Sequence, residues 1–193
     1  MENKHDFRIL IIDDNLDIHG DFIKILTSKK TASTELEDLG GAIFGEDSTK
    51  KNASALLPNF MIDTATQGKE GVLKIEQAIS QDNPYSLAFV DVRMPPGWDG
   101  IETIKHIWAI DKDIQIVICT AYSDYSWEET VKELGHSDNL LILKKPFDYT
   151  SVRQLACALT RKWKLIQESR TYTNSLENTV LERTEELQHL ATH

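Results

Sequence analysis

The last quarter of the sequence lacks chain breakers. Gly135 and Pro146 are the final residues of their kinds in a chain of 193. A glycine inside a helix costs about 1 kcal/mol relative to alanine, and a proline about 3 kcal/mol. Their absence from Tyr149 onward predicts one helix of roughly 40 residues, or about 60 Å at the helical rise. Cysteine is also scarce. Cys119 and Cys157 are the only two, which excludes a disulfide framework or a cysteine-rich metal site. Both read as small core residues. No apolar run approaches the roughly 18 residues of a membrane span. The charged stretch Met1–Arg8 has no apolar signal segment. A cytoplasmic protein with no membrane partner is expected. Positive charge is in deficit, with 21 Lys and Arg against 31 Asp and Glu, a net −10. That balance argues against nucleic acid as a partner.

Apolar residues, at 40%, suffice for a sizeable core. Four apolar runs stand out at Arg8–Ile12, Ser86–Val90, Ile114–Cys119 and Leu140–Leu143, with a weaker fifth at Phe60–Ala65. Short runs rich in β-branched residues read as strands. Their near-continuous apolarity suits parallel strands covered on both faces. Helical periodicity lies between them, at Asp17–Leu26, Gly68–Ile79, Ile101–Ile110 and Asp124–Leu134. Strand and helix thus alternate. The expected fold class is α/β, a five-stranded, parallel, doubly wound sheet of flavodoxin-like type, followed by a long C-terminal coiled-coil helix.

Two stretches depart from this rhythm. Residues 27–59 exceed what a first helix and second strand need to connect. Within them Thr34-Glu35-Leu36-Glu37 reads as a capping box, and Leu36, Leu39, Ile43 and Phe44 follow at helical spacing. One short helix and then a mobile polar segment, Glu46–Ser54, are expected. The other departure is the C-terminal helix. Val152, Leu155, Ala156 and Leu159 can pack on the sheet. Beyond them Ile166, Ser169, Thr173, Leu176, Val180, Arg183, Leu187 and Leu190 recur at heptad spacing. This reads as a marginal parallel coiled coil, and hence a homodimer. The domain division that follows is 5–160, with 27–59 as an insertion, and 161–193 as a helical linker to an output domain outside this sequence.

In a doubly wound sheet, ligands bind at the carboxyl ends of the strands, where strand order reverses. The first strand ends in Asp13-Asp14, the third in Asp91, the fourth in Thr120, the fifth in Lys144-Lys145-Pro146. Two like charges about 4 Å apart repel by roughly 4 kcal/mol at an effective dielectric near 20. Such a cluster requires a cation or raised pKa values. Oxygen-only ligands favour Mg²⁺ or Mn²⁺ over Zn²⁺. A carboxylate, a divalent ion, a lysine and a hydroxyl on one rim form a phosphoryl-transfer constellation.

Asp13-Asp14-Asn15, Asp91-Val92-Arg93-Met94-Pro95 with Asp99-Gly100, Thr120-Ala121 and Lys145-Pro146-Phe147 resemble the receiver domains of two-component response regulators in order and spacing. The resemblance implies that Asp91 is the phosphoacceptor. It implies Asp14 as a direct Mg²⁺ ligand, Asp13 as a ligand through water, and the Arg93 backbone carbonyl as a further ligand. Thr120 and Lys145 would each bind a phosphoryl oxygen, with a sensor histidine kinase as the donor. Lys144 would be a solvated neighbour. The sequence departs from the family at Ile142, where an aromatic switch residue is usual, and in the longer loop Met94-Pro95-Pro96-Gly97-Trp98. Tyr122, two residues after Thr120, is placed to hinder hydrolysis. The ending Leu187–His193 resembles the entry to a diguanylate cyclase domain. A histidine kinase or sensor domain stays open as the output. Two rivals also stay open: a receiver that no longer takes phosphate, and a dehalogenase-like phosphatase, which would want Asp-x-Asp on its first strand.

Overall fold

The computed structural model describes residues 7–27, 58–121, 127–135 and 137–191. The helix expected around Leu36–Phe44, the polar segment Glu46–Ser54 and Tyr122 lie outside the described residues. Five strands run in chain order as β1 (Phe7–Ile12), β2 (Phe60–Ala65), β3 (Leu87–Asp91), β4 (Gln115–Thr120) and β5 (Leu140–Lys144). Among the described residues, five helices join and follow them: α1 (Leu16–Thr27), α2 (Gly68–Ser80), α3 (Gly100–Ile110), α4 (Trp127–Leu134) and α5 (Tyr149–Ala191). The strands are parallel and ordered β2-β1-β3-β4-β5. The order reverses between β1 and β3, which is the switch point of a flavodoxin-like sheet.

Alternation along each strand fills two cores. Leu10, Ile12, Ala88, Val90, Ile116 and Ile118 face α2 and α3, whose Val72, Ile75, Ile104 and Ile107 complete that side. Ile9, Ile11, Leu87, Phe89, Val117 and Cys119 face α1 and α5, against Phe22, Leu26, Val152, Ala156 and Leu159. Every residue of β3 and β4 is buried, because helices cover both faces. On edge strand β2 only Ala65 is fully buried, and Met61 is 51% exposed. The predicted apolar face of α2 is narrower than its periodicity indicates. Leu73 and Ile79 point outward at 52% and 39% exposure, because the sheet reaches only the Val72–Ile75 side.

α5 has 43 residues. Its first turns sit in the second core, and its middle is tied to the turn before β4. Arg170 grips both carboxylate oxygens of Asp113, with Nη2 at 2.9 Å from Oδ1. Gln167 Nε2 donates to Asp113 Oδ2 at 3.1 Å, and Lys162 bonds the Asp138 carbonyl. No helix among the described residues is long and apolar enough to cross a membrane.

Candidate functional site

β1 and β3 are neighbours in register, Ile12 opposite Val90. The residues that follow them therefore emerge side by side at the carboxyl edge. One oxygen from each of Asp13, Asp14 and Asp91 lies within 4.8 Å of the others. Asp13 and Asp91 are buried, at 3% and 9% exposure, while Asp14 is exposed. β5 delivers Lys145 to the same edge. Its backbone N–H donates to the Thr120 carbonyl at 2.8 Å. Its ammonium donates to Asp13 Oδ2 at 2.9 Å and to Asp91 Oδ1 at 2.7 Å. Lys144 points outward and is exposed. Thr120 is buried at 2% exposure, and its hydroxyl donates to the Ala121 carbonyl at 3.0 Å.

The loops are held by short-range contacts. Asn15 N–H donates to Asp13 Oδ1 at 2.9 Å, and Asp17 N–H to Asn15 Oδ1 at 2.9 Å, which starts α1 directly after the acids. Arg93 N–H donates to Asp91 Oδ2 at 3.3 Å, and the Arg93 side chain is exposed. Asp99 caps α3, accepting from Glu102 N–H at 2.8 Å. Gly100 lies so close that a Cβ there would sit 2.4 Å from the Asp91 carbonyl oxygen. The loop between is tied across to α2 by Gln67 Nε2, which donates to the Pro95 carbonyl at 3.3 Å. Trp98 stacks on His106 with centroids 4.1 Å apart.

Burial pushes the Asp91 carboxyl above its ordinary range, and the nearby Asp13 charge adds to this. Lys145 and the Arg93 amide oppose it without cancelling it. Burial pulls the Lys145 ammonium down, but hydrogen bonds and charge from Asp91 and Asp13 outweigh it and hold the pKa up. Lys145 thus stays cationic at neutral pH beside two acids. Cys119, next to this edge, has its thiol pushed far up by burial, which fits the inert core residue expected of it.

The structure brings Asp13, Asp14, Asp91, Thr120 and Lys145 to one rim, with Arg93 in the loop that follows Asp91. Sequence reasoning gives His19 a surface or packing role and no link to the acids. The residue is 5% exposed, and its Nε2–H donates to the Asp13 backbone carbonyl at 2.7 Å. No spacing rule signals this contact, which depends on how the first turn of α1 folds back over the end of β1. Ile142 is half-buried against the first core, as a packing residue.

A family model described as the response regulator receiver domain matches residues 47–156. The chain belongs to the response regulator receiver family. Sporulation initiation phosphotransferase F of Bacillus subtilis (strain 168) is 36% identical to this receiver over 75 residues, covering 39% of this chain and 56% of that protein. The aligned stretch thus spans little more than half of that relative. A CheY-like receiver domain protein from Methanospirillum hungatei JF-1 superposes with a TM-score of 0.55 at 18% identity, covering 83% of this chain and 98% of the other. An adenylate cyclase structure from Rhodopirellula baltica gives 0.61 at 18% identity, over 88% and 98%. At these identities the two structures show a shared fold. β1 and the Asp13-Asp14 pair that follows it lie upstream of the matched span, yet the structure places β1 inside the sheet, between β2 and β3.

Proposed function

We propose that this receiver accepts a phosphoryl group on Asp91 from a phosphohistidine of a sensor histidine kinase, with Mg²⁺ (or Mn²⁺) at the acidic rim. The observation that carries this reading is Lys145, whose ammonium lies between Asp13 and Asp91 beside a third carboxylate. The donor set fits a hard divalent ion, since every candidate ligand is oxygen and Asp14 is solvent-facing. Asp14, Asp91 and the Arg93 carbonyl would hold the ion, with Asp13 acting through a water. When bound, the ion supplies charge neutralisation for the phosphoryl oxygens.

The chain's own residues do the rest. An Asp91 oxygen attacks phosphorus in line, an O–P bond forms, and the P–N bond to the donor imidazole breaks. The imidazole nitrogen leaves with its electron pair and takes a proton from solvent. Lys145 exchanges its carboxylate contact for a phosphoryl oxygen, and Thr120 turns its hydroxyl toward another. The modification adds roughly −1.5 to −2 charges. That change biases the surface of α4, β5 and α5 between two arrangements.

Residues 161–193 are then a helical linker that pairs two copies and leads to an output domain. A diguanylate cyclase is the output proposed. Support for it is the resemblance of Leu187–His193 to the entry of that domain.

Acetyl phosphate with Mg²⁺ tests the site. Intact-mass measurement should show one added phosphoryl group on the wild type and none on Asp91→Asn. An unlabelled wild type, under conditions that label other receivers, would favour an inert interaction module instead.

A further inference from the structure

α5 has two faces at the same height, and the second carries a pattern the heptad does not describe. Val152, Ala156 and Leu159 are buried in the core, and Gln167 and Arg170 bind Asp113. These residues mark the side of α5 that faces its own domain. Large apolar side chains are exposed elsewhere on the helix: Leu165 at 55%, Tyr172 at 67%, Leu176 at 48%, Val180 at 64% and Leu187 at 67%. At about 100° per residue these cluster roughly 140° away from the domain-facing side. Leu181, at 60% exposure, lies on the domain-facing side of the helix, away from this cluster.

With Ser169 and Arg183 the exposed positions read 165, 169, 172, 176, 180, 183 and 187. Their spacings are steps of four and three in which two fours fall together around Leu176. That is an 11-residue repeat, about 3.67 residues per turn, and not a heptad. The heptad reading places Ile166 and Thr173 in the seam. Ile166 is half-buried, whereas Leu165 and Tyr172 are exposed. Ile166 therefore offers a partner less surface than Leu165, and the exposed stripe begins one residue earlier than the heptad.

We infer that the stripe Leu165–Tyr172–Leu176–Val180–Leu187 is the contact surface for α5 of a second copy, paired parallel and in register. This rests on the dimer reading above and specifies its seam. A second copy is the occupant the pattern fits. In register, each apolar position meets its own kind, and Ser169 meets Ser169 of the other copy. An unrelated apolar helix would bury the Ser169 hydroxyl against hydrocarbon. Arg183 is long enough to pass its guanidinium out of the seam. The stripe is about 33 Å long at the helical rise, so the pair is a weak, concentration-dependent one. Because the Asp113 grip lies on the opposite side, pairing leaves it intact. Each domain is therefore held at a fixed angle to the seam.

Single cysteines placed at 172, 173, 176 and 180 in the full chain test this by disulfide formation under mild oxidation. The wild type, with only Cys119 and Cys157, is the background control, and sedimentation reports mass. The expected result is a dimer with strong cross-linking at Tyr172→Cys, Leu176→Cys and Val180→Cys and weak cross-linking at Thr173→Cys. A dimer that cross-links at 173 and 180 but weakly at 172 would overturn the 11-residue seam and leave the heptad dimer standing. Cross-linking of a dimer at 176 alone would overturn the parallel arrangement. A monomer at every concentration would overturn the seam and the dimer reading together.

Discussion

At the scale of single residues, the acidic rim depends on backbone room as much as on its charged groups. A Cβ at Gly100 would sit 2.4 Å from the Asp91 carbonyl oxygen and 2.9 Å from Val92 Cα. Gly100→Ala is therefore expected to cost about 1–3 kcal/mol, as overpacking does, and to slow labelling of Asp91. Urea unfolding and acetyl phosphate kinetics check the two effects separately. At the far end of the sheet, Arg8 Nη2 donates to Asp63 at 2.7 Å, the Tyr85 hydroxyl does so at 2.8 Å, and the guanidinium lies over the Tyr85 ring. Burial pushes the Asp63 carboxyl up. Hydrogen bonds from Arg8 and Tyr85 and charge from Arg8 and Lys74 outweigh it, and hold the group below its usual 3.8. A depressed acid stabilises the fold above its unfolded pKa, and that stability is lost as pH falls through the folded one. Asp63→Asn should lose about 1 kcal/mol near neutral pH, a figure discounted for its exposure. It should then decline less steeply than wild type below pH 3.8. Denaturant midpoints across the acid range read this directly.

At the scale of elements, the strands were legible because burial on both faces writes itself as unbroken apolar runs. Ile9–Ile12 and Val117–Cys119 have nowhere polar to point. The acids were legible for a related reason: a charged residue ending such a run is costly unless the edge uses it. Less legible was anything set by the approach of separate elements. His19 reads as an ordinary helix residue until α1 folds over β1. Trp98 and His106 are eight positions apart, and only the start of α3 lays one ring on the other. The grip of Asp113 on Arg170 was equally hidden, since it joins a turn to a helix more than fifty residues away. That grip is partly solvent-exposed, with side chains at 58% and 17%. Arg170→Ala should change global stability by less than about 1 kcal/mol. It should nevertheless speed amide exchange in the middle of α5, because local opening there loses its anchor. Exchange mass spectrometry resolves the two.

At the scale of the whole molecule, the acid cluster is a source of repulsion that the proposed Mg²⁺ would relieve. Mg²⁺ at about a hundred times its dissociation constant should raise the unfolding free energy by roughly 2.7 kcal/mol. Chelation should remove the gain, and Asp14→Ala should never show it. Thermal unfolding with and without chelator is the check.

The strand order carries a consequence for when the molecule becomes competent. β1 sits between β2 and β3, with Ile9 beside both Ile62 and Leu87, although a long stretch of chain separates it from either. Two of the three clustered carboxylates follow β1, and the third ends β3. No local piece of the sequence contains the rim. Closing it requires pairings between distant segments, the slow and entropically costly kind. A nascent chain, or a fragment starting after β1, has no half-working pocket to offer a phosphodonor. Competence for the proposed modification would arrive in one step, with completion of the sheet.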